Sequence, residues 1–182
     1  MLEEKTEADI VTRCQLGDPN AWDILVERWH PKLWRYVARM LVDDCKVDDV
    51  LQDIWMRVIR SLVRLRDPMR LAPWMYRVAR LAVMDHLRVL YRRPPDTELV
   101  DVSSLDDGIE NLFNSDEVEV ALAELHPIDR EVVVLFYFEQ RSVAEIACIC
   151  HVPAGTIKSR LHRARREIRD ILSAQETRNV RD

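Results

Sequence analysis

Apolar residues recur at helical spacing along most of this chain, and this pattern constrains the fold more than any other feature. Segments with an apolar residue every three or four positions cover residues 6–91 and 119–172, whereas the strict alternation of a half-buried strand is almost absent. The three glycines, Gly17, Gly108 and Gly155, each lie between helical patterns. Because they are not clustered, a glycine-rich phosphate-binding loop is excluded. The sequence therefore predicts an all-α protein.

The helical segments form two groups separated by a stretch of different composition. The first group is predicted over residues 6–16, 21–40, 47–65 and 71–91. The second is predicted over residues 119–125, 128–138, 142–149 and 153–172, followed by a frayed polar tail. Between them, residues 96–117 contain eight acidic residues and no Lys or Arg, which is typical of a tether. We predict two small helical domains, a four-helix module (1–95) and a helix-turn-helix module (118–182), joined by a flexible acidic linker (96–117).

Charge is distributed unevenly along the chain. The formal net charge is −5, yet residues 1–95 hold 17 Lys and Arg against 14 Asp and Glu. Residues 158–169 hold six basic residues and one acid. Contact with phosphates depends on local charge rather than on net charge. An overall negative charge therefore does not exclude binding to nucleic acid.

Residues 142–168 have the pattern of a helix-turn-helix. A short apolar-faced helix, residues 142–149, leads through His151, Val152 and Pro153 into a basic helix. At 100° per residue, one arc of that helix carries Ile157, Leu161, Ala164 and Ile168. Roughly the opposite side carries Ser159, His162, Arg163 and Arg166. In this plan the second helix enters a major groove, although a solvated basic face alone gives the same spacing.

The helix predicted over 71–91 is divided in the same way. One side is apolar and includes Met75, Val78, Ala79, Ala82, Val83, Val89 and Leu90. The other side carries Arg77, Arg80 and Arg88. Leu81 falls on this basic side, where packing offers it no partner. The chain therefore presents two separate basic helix faces.

Four segments, in this order, resemble the extracytoplasmic-function group of bacterial RNA polymerase sigma factors in the sigma-70 family. They are DDVLQDIWMR at 48–57, WMYRVARLAVMDHLRVLYRR at 74–93, LHPIDREVVVLFY at 125–137, and residues 142–165 ending in GTIKSRLHRAR. The resemblance covers residues 18–171. It implies a promoter specificity subunit in which residues 1–95 (sigma region 2) bind core RNA polymerase and recognise and melt the minus-10 element. Residues 118–182 (sigma region 4) would read the minus-35 element as duplex.

The resemblance also implies roles for individual residues. Core polymerase binding falls to Asp48, Asp49, Gln52 and Asp53. Contacts to the minus-10 element fall to Arg66, Arg70, Trp74, Tyr76, Arg77, Arg80, Asp85, Arg88, Arg92 and Arg93. Contacts to the minus-35 element fall to Thr156, Lys158, Ser159, Arg160, His162 and Arg163, and the helical spacing adds Arg166.

Physical arguments favour some of these roles and leave alternatives open for others. Acids at a helix start suit a basic partner helix, although they also compensate the helix dipole. Melted DNA needs cations and planar surfaces, yet Trp74 and Tyr76 are equally suited to core packing. In the last helix we expect Arg163 to read a base edge, since arginine bonds both acceptors of guanine, and Arg160 to contact phosphate.

Two residues depart from the family pattern. Family members usually have Asn at the position of Leu81, which puts one base contact in doubt. They often have Gly where His151 stands, and a left-handed backbone tolerates His there better than a β-branched residue.

Other functions are less consistent with the sequence. Cys148, Cys150 and His151 lack the paired spacing of structural zinc sites, even with Cys14 and Cys45 as completions, so we predict no metal or cofactor. No nucleophile or fixed histidine accompanies the paired carboxylates, so we predict no catalytic residues. A helix-turn-helix regulator that binds its operator without polymerase remains the alternative.

Partners and location follow from the same reading. The expected partners are core RNA polymerase, promoter DNA and an anti-sigma factor. The acidic N-terminus and the absence of a long apolar stretch predict a cytoplasmic protein without membrane insertion.

Overall fold

The computed structural model describes residues 6–41, 44–90 and 116–179. Regular structure in these ranges is entirely helical, which confirms the all-α prediction. The chain divides into two compact units, Met1–Arg88 and Val89–Asp182, called here the first and second units. Most of the predicted linker, together with Arg92 and Arg93, lies outside the described residues, and its limits stay predictions.

Four α-helices lie in the part of the first unit that the structure describes. They are α1 (Glu7–Gln15), α2 (Pro19–Met40), α3 (Val47–Ser61) and α4 (Leu71–Leu90), with 3₁₀ turns at Asp44–Lys46, Leu62–Arg64 and Pro68–Arg70. The α-helix predicted to end at residue 65 tightens after Ser61 into a 3₁₀ turn. Gln15 stabilises this turn, because its Nε2 donates to the carbonyl oxygens of Leu62 at 3.0 Å and Leu65 at 2.9 Å.

Aromatic rings hold α2 and α4 together. Tyr76 of α4 makes edge contacts with Trp29 and Tyr36 of α2, with ring centroids 5.7 and 5.6 Å apart. All three side chains are buried, and edge-to-face packing adds to the free energy gained by burying them. These contacts fix which side of α4 faces inward.

The described part of the second unit, residues 116–179, contains four further α-helices. They are α5 (Asp116–Glu124), α6 (Pro127–Val133), α7 (Val143–Cys150) and α8 (Ala154–Asn179). The helix predicted over 128–138 is α6 followed by a π-helical turn, Val134–Phe138. Helix α8 extends past the predicted end at residue 172, because residues 173–179 include good helix formers and no Gly or Pro.

Helix α8 lies at the centre of the second unit, in contact with α5, α6 and α7. Its predicted apolar arc is confirmed, since Ile157, Leu161, Ala164 and Ile168 are fully buried. With three helices packed against it, α8 is covered over more of its circumference than a surface helix.

A buried arginine closes the C-terminal end of α5. The Nε of Arg130 donates to the Leu122 carbonyl oxygen at 2.7 Å, and its Nη2 donates to those of Ala123 at 2.7 Å and Leu125 at 3.0 Å. The last carbonyls of a helix lack intrahelical partners, and Arg130, only 1% exposed, supplies them. This role of Arg130 was not predicted from the sequence.

Two general properties concern only the described residues. None of these helices combines the length and apolar character needed to cross a bilayer. Within the same ranges, no three His, Cys, Asp or Glu side chains are grouped closely enough to hold a metal ion.

Candidate nucleic-acid interface

The helix-turn-helix of the second unit begins with a capping box. Ser142 Oγ accepts from the Glu145 amide at 3.3 Å, and Glu145 Oε2 accepts from the Ser142 amide at 2.9 Å. Arg141 Nη1 lies 3.2 Å from Glu145 Oε1. Burial acts to raise the pKa of Glu145, but these hydrogen bonds and Arg141 outweigh it and lower that pKa. The start of α7 is thereby fixed.

The turn between the two helices has the predicted backbone. His151 is left-handed, with φ 57° and ψ 44°, as expected for a position where glycine is common. The Val152 amide donates to the Ala147 carbonyl at 3.2 Å, and the Pro153 carbonyl accepts from the Thr156 amide at 3.0 Å. The turn therefore directs the chain into α8 without a glycine.

One stripe of α8 faces outward. Gly155, Lys158, His162 and Arg166 fall within an arc of about 80° at helical spacing. Lys158 and Arg166 are exposed, His162 is half-buried, and a Cβ added at Gly155 would meet no atom within 4 Å. We call these four residues the α8 stripe. Thr156 is half-buried beside it.

Two residues predicted to face DNA lie inside the second unit instead. Ser159 is 4% exposed, and its hydroxyl donates to the Thr156 carbonyl at 3.0 Å. Arg160 is 8% exposed, its Nε has no hydrogen-bond partner, and burial lowers its pKa. The predicted exposure of both is wrong, because the helical wheel assumed burial on one side of α8 only.

Arg163, the expected base reader, forms an ion pair within the second unit. Its Nε donates to Asp129 Oδ2 at 3.0 Å, and its Nη2 donates to Asp129 Oδ1 at 2.7 Å. Asp129 belongs to α6 and is buried. The wheel treated Arg163 as free of internal contacts, and that part of the prediction is wrong. The sequence offers no signal for a partner so distant in the chain.

Arg165 is a further internal arginine that the sequence analysis missed. It is buried, and its Nε donates to the hydroxyl of Tyr137 at 2.6 Å. Its guanidinium also lies 5.5 Å from the centroid of the Tyr137 ring. Three of the basic residues in 158–169 therefore contact the second unit itself.

The basic side of α4 in the first unit is more open. Arg77 and Arg88 are exposed, and Arg80 is half-buried. Leu81 is 47% exposed between them, as predicted. In the preceding loop, Arg66 and Arg70 are exposed.

The two aromatic residues expected at the minus-10 element differ in burial. Tyr76, 1% exposed, is a core residue, which favours the packing alternative over contact with a melted base. Trp74 is half-buried. The core alternative therefore holds for Tyr76, while the role of Trp74 stays a prediction.

Arg57 links a residue predicted to bind polymerase to one predicted to contact the minus-10 element. This role of Arg57 was not predicted from the sequence. Arg57 of α3 binds Asp53 on its own helix at 2.8 Å and Asp85 on α4 at 3.0 Å. Asp85 also lies 3.5 Å from Arg88. The spacing of Asp53 and Arg57, one helical turn, is the only signal of this bridge in the sequence. Asp85 is thus a bridging residue that orients α4 on α3.

The acids predicted to bind polymerase lie at the start of α3. Asp48, Asp49 and Gln52 are exposed, and Asp53 is half-buried. The exposed side of the helix continues into a row of apolar side chains, Met56, Ile59 and Val63. An acidic patch followed by exposed apolar residues is typical of a protein-binding surface.

Comparison with known proteins identifies relatives along most of the chain. Residues 25–93 match the family model Sigma-70 region 2, and residues 115–168 match Sigma-70, region 4. The chain is 30% identical to the RNA polymerase sigma-H factor of Pseudomonas aeruginosa, over 92% of this chain and 94% of that one. It is 32% identical to the ECF RNA polymerase sigma-E factor of Escherichia coli K12, over 92% and 95%.

Two solved structures share the fold. CnrH, in complex with the cytosolic domain of CnrY, has a TM-score of 0.70 at 22% identity, covering 92% of this chain and 97% of CnrH. The sigma factor RpoE of Bartonella quintana, in complex with the anti-sigma factor NepR, has a TM-score of 0.65 at 20% identity, covering 84% and 96%.

Proposed function

The chain belongs to the extracytoplasmic-function group of the sigma-70 family, and from this membership we propose how its two units share the contacts of promoter-specific transcription initiation. It is a sigma factor, a transcription initiation factor that directs RNA polymerase to promoters. We place its action in the cytoplasm with the polymerase. The chemistry of RNA synthesis belongs to the polymerase, and we assign this chain no catalytic residue.

We propose that the start of α3 binds core polymerase. Asp48, Asp49 and Gln52 supply an exposed acidic surface suited to a basic partner helix. Asp53 contributes less directly, because Arg57 already binds its carboxylate at 2.8 Å.

The exposed side of α4 and the loop before it are proposed to hold the melted minus-10 strand. Arg77 and Arg88 offer cations for its phosphates, and Arg66 and Arg70 extend them. Trp74, Arg80, Arg92 and Arg93 stay in this proposal as flanking contacts, and Tyr76 is withdrawn from it. Leu81 replaces a polar base contact with an apolar side chain.

The α8 stripe is proposed to enter the major groove of the minus-35 element. The observation that carries this assignment is that Lys158, His162 and Arg166 place basic or hydrogen-bonding side chains along one stripe of the second helix of a helix-turn-helix, with Lys158 and Arg166 exposed. Arg163 lies at the edge of the stripe, with Thr156 beside it. Ser159 and Arg160 are withdrawn as side-chain contacts, since both are buried.

A regulatory partner is also proposed. The two solved relatives were captured with the cytosolic domain of CnrY and with an anti-sigma factor. We propose that this chain is likewise held by an anti-sigma factor until its signal arrives.

Transcription reconstituted from purified components tests this function. The chain plus core polymerase is expected to initiate at a subset of promoters in a genomic library. Lys158→Ala is expected to weaken all of these promoters alike and to reduce the slope of log affinity against log salt by about 0.9, whereas the matched Lys158→Arg retains the charge and the slope. Failure to initiate at any promoter, together with tight duplex binding by the chain alone, would instead identify an operator-binding regulator.

A further inference from the structure

We propose that Asp129 is a positioning residue that presents Arg163 to a base pair of the minus-35 element; this inference rests on the proposed function. Asp129 lies on α6, outside the helix-turn-helix, and is 2% exposed. Both of its carboxylate oxygens accept hydrogen bonds from Arg163, at 3.0 and 2.7 Å. The Asp129 carboxylate is therefore a buried group that the DNA itself does not contact.

The carboxylate is fixed before DNA arrives. The Asp129 amide donates to the His126 carbonyl at 2.9 Å, and Pro127 precedes it in the first turn of α6. A buried carboxylate in a helical turn moves little, so the side chain bound to it is ordered as well. An ordered arginine loses less conformational freedom on binding than a flexible one.

The geometry of the ion pair is suited to presenting Arg163 to a base pair. The two bonds use Nε and Nη2, which together form one edge of the guanidinium. The edge formed by Nη1 and Nη2 points elsewhere, and this is the edge that spans the N7 and O6 acceptors of guanine. The clamp by Asp129 thus determines the direction of the guanine-binding edge without using it.

The opposite interpretation, in which Asp129 withholds Arg163 from DNA, is less consistent with the burial. Releasing Arg163 would leave the charge of Asp129 inside the unit without its bidentate partner, and such a charge is strongly unfavourable. Arg160 is a further positive charge near Asp129, and it acts on Asp129 only through its field. We therefore expect the ion pair to persist in the complex with DNA.

Promoter preference measured with the full chain and core polymerase tests the inference. Transcription is compared across promoters substituted at each minus-35 base pair, for wild type, Arg163→Ala, Asp129→Asn and the double variant. Arg163→Ala is expected to reduce discrimination at one base pair by about 5- to 150-fold. Asp129→Asn, which cannot accept both N–H groups, should reduce discrimination at that same base pair, and the double variant should be no worse than Arg163→Ala.

Different outcomes distinguish a failure of the positioning role of Asp129 from a failure of the base-reading role of Arg163, on which it rests. If Asp129→Asn changes only thermal unfolding, or raises affinity for every promoter, Asp129 is not a positioning residue. If Arg163→Ala leaves every preference intact, the base-reading assignment fails and the inference fails with it. Asp129→Glu keeps the charge but shifts the carboxylate by one methylene, so it should also lose discrimination at the same base pair. This second variant keeps the test decisive if Asp129→Asn does not fold.

Discussion

The arginines of the two units occupy different environments. On α4 of the first unit, Arg77 and Arg88 are exposed. In the second unit, Arg130 and Arg160 are buried, and Arg163 is bound to the carboxylate of Asp129. A cluster of basic residues in a sequence can thus form either a surface that contacts phosphates or a set of contacts inside the protein.

The cause lies in how each helix is packed. Helix α4 places its apolar side, including Tyr76, against α2 and leaves the other side open. Helix α8 contacts α5, α6 and α7, so polar positions beside its apolar arc are covered too. Within 158–169, only part of the positive charge remains available to DNA.

The largest expected effect on stability comes from removing the buried side chain of Arg130. We expect Arg130→Ala to lower the free energy of unfolding of the second unit by about 3–5 kcal/mol, because three carbonyls at the end of α5 lose their donors. Arg77→Ala, the exposed counterpart, should change stability by less than about 0.5 kcal/mol. Urea unfolding followed by far-ultraviolet circular dichroism measures both.

Tryptophan fluorescence supplies the control for that experiment. All five tryptophans lie in the first unit, the last at Trp74, so their signal reports on that unit alone. Arg130→Ala should leave the fluorescence transition in place. A loss of stability below about 1 kcal/mol would show that Arg130 does not hold the second unit together.

A matched pair of substitutions tests which arginines contact phosphates. Arg77→Met should reduce the salt slope of promoter binding by about 0.7, the contribution of one phosphate contact on single-stranded DNA, with stability unchanged. Arg160→Met should leave the slope unchanged and should not lower stability, because burial outweighs the attraction of Asp129 and Glu131 and lowers the pKa of Arg160. Binding by the holoenzyme at several salt concentrations measures the slopes. Equal slope losses would mean that Arg160 reaches DNA, and the contrast between the units would fail.

Helix locations, the apolar faces and the turn at His151 could be predicted from the sequence, because each depends on residues close together in the chain. Leu81 was placed correctly on the open side of α4 for the same reason. The partners of Arg163 and Arg130 could not be predicted, since they depend on which helices pack together. Tyr76 shows the same limit, because its spacing fits a core or a base-binding surface equally well.

The smallest expected effect concerns a feature in which the two units agree, an acidic cap supported by an arginine. Asp18 at the start of α2 hydrogen-bonds to Arg13, and Glu145 at the start of α7 pairs with Arg141. The pKa of each carboxyl is lowered, that of Asp18 chiefly by the Arg13 hydrogen bond. The pKa of Glu145 is lowered despite burial, because the Ser142 hydrogen bonds and Arg141 outweigh it.

Ser142→Ala is expected to lower the stability of the second unit by about 1 kcal/mol at pH 7, since α7 loses its N-cap. A carboxyl whose pKa is lower in the folded state stabilises above its unfolded pKa, near 4.3, and loses that contribution as pH falls through the folded pKa. The variant lacks one of the hydrogen bonds that lower the Glu145 pKa. The difference in free energy of unfolding between wild type and Ser142→Ala should therefore become smaller below about pH 4.3. Urea titrations at several pH values measure that difference, with exposed Ser173→Ala as the matched control. A difference that stays constant down to pH 3, about one unit below the unfolded pKa, would mean that Glu145 does not depend on Ser142, and that the cap acts through the serine hydroxyl alone.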